Sequence, residues 1–491
     1  MLSAHRAEDV RRAEEARMAE LEVLGRDPGE LMQTAAAAVA ATALRMLPRR
    51  YGARVLVLAG SGNNGGDALF AGARLRARGV EVWVGATSER GLHVGGERAC
   101  RRAGARFLAR DELVPALTAG RLDLVVDGVL GLGSRGGLPD DVAVLADALD
   151  GPGAPPVLAV DLPSGLQADA SRADRSFRAA RTVTFGTSRI AHLTSPARER
   201  CGPVEVVDLG LTLPAPALRQ WQAADVAAAY PVPGPTDHKY TRGVVGLDTG
   251  SEQYPGAALL GVLGAVHGGA GMVRYLGSAT VTTEVPNVVA ADGRVQALVL
   301  GSGWGSGQDA EDRLRQAFDR VAGEGSALLL DADALAVLAA MLDGGGERPA
   351  PDRWLLTPHA GELTRLLQRD VDREWVESHP DEAAQEAADR YRATVLLKGG
   401  TQYVAHPRSD DGTDAPPVDL AVPGPAWTGQ AGSGDVLAGL CGALLAAGLP
   451  AGDAAVVGAS LQALAAARRP GPHPPQHVVG AVADVVAELT R

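Results

Sequence analysis

The chain has 491 residues, about three average domain lengths, and 46% of them are apolar, so it can bury two sizeable cores and is too long for one small domain. Its 47 basic and 59 acidic residues leave a net charge of −12, which argues against a general binder of nucleic acid or of anionic membranes. The three scattered cysteines form neither a disulfide framework nor a CxxC metal pair, which favours a cytoplasmic location.

Strand and helix patterns alternate through both halves of the chain, which predicts an α/β fold with mostly parallel sheets covered on both faces. In the first half, we predict helices at 7–24, 29–47 and 66–78, and strands at 54–59, 80–84, 122–126, 157–160, 182–185 and 204–207. In the second half, we predict strands at 244–247, 297–300, 327–330, 354–356 and 394–397, with helices after residue 432. Five prolines between residues 213 and 236 predict a stiff linker between a domain of residues 1–212 and a domain of residues 237–491.

A glycine-rich loop follows the first predicted strand of the first half. Gly60, Gly62 and Gly65 match the GxGxxG pattern of dinucleotide-binding loops, but the next strand ends without the acidic residue that would hold a ribose. Glycines at a helix start expose backbone amides and the positive end of the helix dipole, and both favour a phosphate. A phosphate site and a plain tight turn capped by Asp67 are both consistent with this pattern.

Two further strands of the first half end in polar loops. The glycine loop 131–137 comes soon after Asp127, and another strand ends in Asp161 and Ser164. Because the carboxyl ends of parallel strands form the ligand-binding edge of such sheets, these groups are expected to lie near the first loop. Asn64, Asp127 and Ser164 could jointly offer oxygen ligands to a cation, and Asp161 is the candidate for acid or base catalysis.

A glycine-rich loop in the second half of the chain ends with Gly432, Ser433, Gly434 and Asp435, at the predicted start of a helix. Glycines at a helix start cradle an anion, and a carboxylate in the first turn could deprotonate a hydroxyl, as phosphoryl transfer to an alcohol requires. No GxxxxGK[ST] motif occurs, so a P-loop mechanism is excluded. Lys398, one of only two lysines in the chain, follows a predicted strand and would suit nucleotide phosphates.

These motifs, together with 161–165, 250–257, 331–335 and 357–362, resemble two known families over nearly everything outside the linker. The first half resembles the YjeF N-terminal family, the NAD(P)H-hydrate epimerases, and the second half resembles the ribokinase-like NAD(P)H-hydrate dehydratases. The resemblance implies two doubly wound domains, an N-terminal Rossmann-like one and a C-terminal ribokinase-like one. It also implies repair of hydrated NADH and NADPH, by epimerisation of the R and S hydrates and by nucleotide-dependent dehydration of the S hydrate.

For the epimerase half, the resemblance implies Asp161 as the catalytic residue and a potassium ion held by Asn64, Asp127 and Ser164. The residues implied to bind the substrate are Asn63, Asn64, Gly65, Gly66, Asp67, Gly131, Leu132, Gly133, Ser134, Arg135, Gly136 and Gly137. Arg189 stands where the family usually has lysine, and arginine keeps its proton, so the second proton-transfer group is expected to be water or a backbone-anchored group.

For the dehydratase half, the resemblance implies Asp435 as the catalytic base, with ADP as the expected phosphate donor, ATP as an alternative, and Mg²⁺. The residues implied to bind the hydrate are Ala257, Gly303, Gly305 and His359. Those implied to bind the nucleotide are Lys398, Gly399, Gly400, Thr401, Gln402 and Gly434.

Two alternatives stay open at the level of sequence. One is a ribokinase-like vitamin or sugar kinase with a non-catalytic N-terminal binding module, because that superfamily shares the 432–435 loop. The other is a dehydrogenase, suggested by the GxGxxG match. For either repair half the expected partner is a small-molecule substrate, with no nucleic acid or membrane, and a homo-oligomer is expected.

Overall fold

The computed structural model describes residues 1–343, 353–368, 371–408 and 416–491. The chain divides into two compact units, which we call the first unit (Ser3–Leu218) and the second unit (Arg219–Arg491 with Met1–Leu2). Within the described ranges, no helix is both long and apolar enough to cross a bilayer.

The first unit is built around a seven-stranded parallel sheet. The strands in this part of the chain are β1 (Leu2–His5), β2 (Arg54–Ala59), β3 (Glu81–Ala86), β4 (Arg106–Leu108), β5 (Leu124–Gly128), β6 (Val157–Val160), β7 (Arg181–Phe185), β8 (Ser188–Arg189) and β9 (Val204–Val207), and all of them except β1 and β8 belong to this sheet. Its helices are α1 (Ala7–Val23), α2 (Glu30–Met46), α3 (Asn63–Arg76), α4 (Val94–Arg102), α5 (Leu113–Thr118), α6 (Asp140–Leu149), α7 (Ile190–Leu193) and α8 (Arg198–Cys201).

The strand order of this sheet is β4-β3-β2-β5-β6-β7-β9, and every pair is parallel. The chain winds outward from β2 in one direction and then from β5 in the other, so the order reverses between β2 and β5. Apolar side chains of the strands face two separate cores, one shared with α2 and α3 and the other with α5 and α6. This is a doubly wound sheet, and a crevice for ligands is expected where the winding reverses.

The second unit has a second mainly parallel sheet. Its strands are β10 (Leu218–Gln220), β11 (Val244–Asp248), β12 (Met272–Tyr275), β13 (Ala297–Leu300), β14 (Ala327–Leu330), β15 (Trp354–Leu356), β16 (Thr394–Leu397), β17 (Tyr403–Ala405) and β18 (Val418–Leu420). Its helices are α9 (Ala223–Ala229), α10 (Pro255–His267), α11 (Gln308–Glu324), α12 (Asp333–Asp343), α13 (Ala360–Leu367), α14 (Arg373–Ser378), α15 (Pro380–Tyr391), α16 (Ser433–Ala446), α17 (Ala451–Arg468), α18 (Pro475–Val479) and α19 (Val482–Leu489).

Strands β12-β11-β13-β14-β15-β16 are parallel neighbours, and β17 and β18 continue the sheet in antiparallel pairing. The prediction of two doubly wound α/β domains is therefore confirmed. The antiparallel end was not predicted, because β17 and β18 are only three residues long and carry no periodic signal.

The stretch 213–236 differs from the plain linker that its prolines predict. The chain passes from the first unit to the second within this stretch, between Leu218 and Arg219, and the stretch contains β10 and α9. Trp221 and Val226 are buried, and the Trp221 amide donates a hydrogen bond to Leu420 O at 2.9 Å. Apolar burial and this backbone hydrogen bond fold part of the segment into the second unit despite the flanking prolines.

Glycines let α10 and α16 pack backbone to backbone in the second unit. A Cβ added at Gly439 would lie 2.0 Å from Gly261 O. We expect Gly439→Ala to lower the free energy of unfolding by about 1–3 kcal/mol, because the two helices would have to separate. Gly323→Ala in α11 is the matched control, since its Cβ would meet no atom within 4 Å, and it should be neutral or slightly stabilising. Thermal unfolding of both variants tests this, and equal melting temperatures would contradict it.

Candidate active sites of the two units

In the first unit, a cavity of about 800 Å³ opens at the carboxyl edge of the sheet, where the winding reverses. Its lining includes the loop after β2, the loop after β5, Asp161 after β6, and one face of α1. The predicted groups at the ends of separate strands are therefore brought to one cavity, as parallel pairing requires.

The first glycine loop is itself the first turn of α3. The helix begins at Asn63, three residues before the predicted start, with Gly62 as its N-cap. Gly65 has to be glycine, because a Cβ there would lie 2.1 Å from Gly60 O. The first intrahelical bond is donated by the Gly66 amide to Gly62 O, so the amides of residues 63–65 remain available at the positive end of a 14-residue helix. This arrangement suits a phosphate.

Asp127, Ser164 and Asn64 converge on one buried point under the cavity. The Ser164 hydroxyl donates to Asp127 Oδ1 at 2.6 Å, and the Ser164 amide donates to Asp127 Oδ2 at 2.8 Å. The side-chain amide of Asn64 donates to Leu130 O at 2.7 Å, and the Ser164 oxygen lies 3.2 Å from that same carbonyl. Asp127 is fully buried, and burial raises its pKa to about 6 against the hydrogen bonds from Ser164 and Val129.

Asp161 is held at the cavity by a buried ion pair. Arg189 Nη2 and the Thr184 hydroxyl both donate to Asp161 Oδ1, each at 2.9 Å, and the side chains of Arg189 and Asp161 are only 1% and 7% exposed. Arg189 also donates to Thr187 O at 2.8 Å. The arginine that replaces the usual lysine is thus a structural partner of the predicted catalytic carboxylate.

The backbone of Asp161 is fixed as tightly as its side chain. Its φ is +65°, a left-handed conformation that is uncommon outside glycine. The Arg189 amide donates to His192 Nδ1 at 3.0 Å, so Nε2 carries the proton and donates to Asp161 O at 2.9 Å. Burial lowers the pKa of His192 to about 4, which keeps this tautomer neutral. The arrangement orients Asp161 towards the cavity instead of leaving it to rotate.

The second glycine loop is only partly at the cavity. Gly131, Leu132, Gly133 and Ser134 line it, and a Cβ at Gly131 would touch the Asn64 side chain at 3.1 Å. The remaining three predicted residues turn away from the lining: the amide of Gly137 donates to Gly165 O, and a Cβ at Gly136 would meet Asp174. Of the substrate-binding residues predicted in the first loop, Asn63, Asn64 and Asp67 line the cavity, whereas Gly65 and Gly66 do not.

A wall formed by α1 was not predicted from sequence. Arg11, Glu14, Glu15 and Met18 share one helix face and line the cavity. Burial raises the pKa of Glu14, and burial together with Asp161 raises the pKa of Asp67 well above its usual range. The sequence of α1 reads as a charged surface helix, so only the spacing of these four residues could have hinted at this wall.

In the second unit, the predicted residues lie at the start of α16 and at the carboxyl edge of five strands. These strands are β11, β13, β14, β15 and β16, which are successive neighbours in the sheet. Lys398 Nζ contacts Asp331 Oδ1 at 2.6 Å and Glu362 Oε2 at 3.9 Å. The hydroxyls of Ser302 and Thr357 also donate to Asp331, at 3.1 and 2.9 Å. Burial alone would lower the pKa of Lys398, but the charges of Asp331 and Glu362 outweigh it and raise that pKa.

Asp435 lies in the first turn of α16, beside this cluster. Burial raises its pKa to about 6, with Asp331 adding to the rise while Ser302 and Lys398 oppose it. Gly432, with φ +86°, is the N-cap, and a Cβ at Gly434 would lie 3.4 Å from Lys398 Nζ. The structure thus brings Lys398, Gly434 and Asp435 together at a helix N-terminus, where phosphates are stabilised.

The other predicted residues of the second unit are placed by the neighbouring loops. A Cβ at Gly303 would touch Ala257 Cβ at 3.4 Å, and the Gly305 amide donates to Asp333 Oδ2 at 2.9 Å. His359 pairs with Lys398 in a short parallel bridge and caps α13 by accepting from the Glu362 amide at 3.1 Å. His359 Nε2 lies 3.4 Å from Glu362 Oε1, on a half-exposed ring at the same edge.

The proposed nucleotide residues after Lys398 form the turn between β16 and β17. Thr401 is buried, whereas Gly399 and Gly400 are exposed. The buried Oε1 of Gln402 has no hydrogen-bond partner among the described residues. This side-chain amide oxygen could accept a hydrogen bond from the nucleoside part of a bound nucleotide.

Comparison with known proteins gives a consistent result for each half. A sequence model described as the N-terminus of YjeF-related proteins matches residues 28–191, and one described as NAD(P)H-hydrate dehydratase matches residues 245–478. The chain is 42% identical over 459 residues to the bifunctional NAD(P)H-hydrate repair enzyme Nnr of Mycobacterium leprae, covering 90% of this chain and 91% of that protein. It is 31% identical to the Escherichia coli enzyme of the same name, covering 92% and 87%.

Solved structures also align with part of the chain. The ADP/ATP-dependent NAD(P)H-hydrate dehydratase of Bacillus subtilis, co-crystallised with ATP and Mg²⁺, is 24% identical, covers 55% of this chain and 98% of its own, and gives a TM-score of 0.46. A ribokinase-like superfamily protein of Enterococcus faecalis is 18% identical, covers 57% and 98%, and gives a TM-score of 0.49.

Proposed function

This chain belongs to the family of bifunctional NAD(P)H-hydrate repair enzymes, and we propose that its two units divide the repair between them. The first unit interconverts the R and S hydrates of NADH and NADPH, and the second dehydrates the S hydrate in a nucleotide-dependent reaction. The observation that supports this division is that each unit brings one carboxylate, Asp161 or Asp435, to glycine loops and a helix N-terminus at its own sheet edge.

In the first unit, the substrate pyrophosphate would bind the amides of residues 63–65 and the loop at residues 131–134. Main-chain N–H groups at a helix start can bind a phosphate without a cationic side chain, and Arg11, Arg90 and Arg110 also line the cavity. The hydroxyl-bearing tetrahydropyridine ring of the hydrate would then lie against Asp161, whose carboxylate would exchange a proton at the ring hydroxyl. Asp67 is an unsuitable phosphate ligand as a carboxylate, and its raised pKa fits a neutral, hydrogen-bonding role instead.

The residues under this cavity fit a potassium ion. Asp127 is fully buried and accepts hydrogen bonds from neutral donors, the Ser164 hydroxyl contacts both Asp127 and Leu130 O, and the Asn64 side-chain amide donates to the same Leu130 carbonyl. Carboxylate, hydroxyl, amide and carbonyl oxygens are ligands that hard cations prefer. Asn64, Asp127 and Ser164 would hold the ion, which would supply positive charge beneath the substrate phosphates.

In the second unit, the hydrate would bind at Ala257, Gly303, Gly305 and His359, with the nucleotide at Lys398–Gln402 and Gly434. Hydroxide is a poor leaving group. A bound nucleotide with Mg²⁺ would supply a phosphoryl group to the ring hydroxyl, because phosphate is a much better leaving group than hydroxide. Asp435 would take the proton of that hydroxyl, while Lys398 would neutralise phosphate charge from its position beside Gly434. Elimination of the phosphate together with a proton from the adjacent ring carbon would then restore the double bond of the reduced nicotinamide.

The proposal is tested by giving the full-length chain the separate R and S hydrates of NADH with ADP or ATP and Mg²⁺. We expect the absorbance of reduced nicotinamide to return from both hydrates, and to return from the R hydrate only after its conversion to S. If neither hydrate is restored while a stable vitamin or sugar alcohol is phosphorylated, the proposal fails and the kinase alternative takes its place. That alternative is not favoured, because the relatives named as repair enzymes match both units.

The proposal includes a cytoplasmic location and a homo-oligomeric state. NADH and NADPH are cytoplasmic cofactors, and all three cysteines are free and buried, which suits a reducing compartment. We also expect a homo-oligomer, which light scattering of the purified chain would detect.

A further inference from the structure

The proposed epimerase reaction needs two proton-transfer groups on opposite faces of the substrate ring. Water adds to a dihydropyridine with its hydroxyl on the carbon next to the ring nitrogen. In epimerisation the C–O bond breaks with its electron pair going to oxygen, the nitrogen lone pair forms C=N⁺, and an acid donates a proton so that water leaves. A second water then attacks the other face and gives its proton to a base, so that one water leaves and one enters.

Asp161 supplies one of these groups from the sheet edge. Both hydrogen bonds that hold its carboxylate, from Thr184 and from Arg189, end on Oδ1, so Oδ2 is the oxygen available to the substrate. Arg189 is fully buried and always protonated, so it cannot be the second proton carrier. His192 cannot be either, because both of its ring nitrogens are engaged with backbone groups.

Glu14 supplies a carboxyl group from a different wall of the same cavity. It lies on the face of α1 that lines the cavity, between Arg11 and Met18, and it is partly buried. The charges that act on it are those of Arg189, Asp161, Arg11 and Glu15, so it lies in the electrostatic field of the catalytic ion pair. Burial raises its pKa, which favours a proton on Glu14 while Asp161 remains paired with Arg189.

A second observation concerns Asp67, on which the charges of both Asp161 and Glu14 act, so that it lies near the two carboxyl groups. Asp67 lines the cavity, is 8% exposed, and its Oδ1 has no hydrogen-bond partner among the described residues. A buried polar atom without a partner is costly, and a ligand hydroxyl or amide at this position would satisfy it.

We propose that Glu14 is the second catalytic residue of the epimerase, acting on the face of the substrate ring opposite to Asp161. This inference rests on the proposed epimerase function and replaces the water or backbone-anchored group expected from the sequence. In one direction Glu14 donates the proton to the departing hydroxyl and Asp161 receives one from the entering water. In the other direction the two roles exchange. Glu14 is preferred to Asp67 because its partial exposure lets it exchange protons with solvent between turnovers.

The test follows the ratio of R to S hydrate of NADH by chromatography, with the full-length chain and without any nucleotide, so that only epimerisation can change the ratio. We expect Glu14→Gln to lower kcat by about 10²- to 10⁴-fold with little change in KM. We expect Glu14→Asp to recover part of this loss. Glu22→Gln, an exposed change on the same helix outside the cavity, is the matched control and should keep the wild-type rate.

The outcomes separate this inference from the proposed function. A wild-type rate in Glu14→Gln, a rise in KM at unchanged kcat, or a loss found only in Asp67→Asn would overturn the role of Glu14 while the epimerase function stands. Failure of the wild-type chain to interconvert the hydrates would instead remove the proposed function. Circular dichroism and thermal unfolding of each variant, compared with the wild-type chain, show that the first unit is folded.

Discussion

Asp435→Asn should abolish the dehydratase reaction while leaving the epimerase reaction unchanged. The variant keeps the size of the side chain at the start of α16 and one acceptor oxygen, but it removes the base that takes the proton of the ring hydroxyl. General-base catalysis of this kind contributes about 10²- to 10⁴-fold, so the rate of NADH recovery from the S hydrate should fall by that factor. The recovery of reduced-nicotinamide absorbance measures it directly.

The pH dependence of the dehydration rate also tests whether Asp435 is the catalytic base. Burial raises the pKa of Asp435 to about 6, and the ionised carboxylate is the active base, so the wild-type rate should fall as pH falls through about 6. Asp435→Asn should lose this step in its residual rate. Asp484→Asn, an exposed change on α19, serves as the control and should keep both rate and profile. A full dehydration rate in Asp435→Asn would show that another group is the base.

Most of the fold follows from hydrophobic patterning. Strands such as Val157–Val160 and Ala297–Leu300 are short apolar runs between turn signals, and they lie where the sequence places them. The three-residue strands Arg106–Leu108 and Val418–Leu420 could not be predicted, because their pairing is set by neighbours distant in the chain. The strand and helix within 213–236 were obscured by prolines, although tertiary burial of Trp221 decides the structure there.

Site residues that directly follow a strand could be predicted from the sequence. Site residues that line a cavity from the side of a helix could not. Asp127, Asp161 and Lys398 each follow a parallel strand, so their convergence at a sheet edge is a consequence of topology. Glu14 has no such signal, because a glutamate on a charged amphipathic helix usually faces solvent. The pairing of Arg189 with Asp161 was also hidden, since 28 residues separate them and only the fold brings them together.

Asp161→Asn should abolish epimerisation and destabilise the first unit at the same time. Asparagine tolerates the left-handed backbone at this position, so the substitution adds no strain of its own. It does leave the Arg189 guanidinium buried without its counter-charge, and breaking a buried pair in this way costs about 3–5 kcal/mol of the free energy of unfolding. Calorimetry of the full-length chain and the nucleotide-free hydrate assay measure the two effects separately.

The double variant Asp161→Asn with Arg189→Met separates catalysis from stability. Replacing the arginine as well removes the uncompensated buried charge, and the methionine side chain fills much of the space that the arginine occupied. Much of the lost free energy of unfolding should therefore return. Epimerisation should remain lost, because the carboxylate that faces the ring is still missing. If the double variant is no more stable than Asp161→Asn alone, the ion pair is not the source of the cost. If either variant interconverts the hydrates at the wild-type rate, Asp161 is not the catalytic carboxylate.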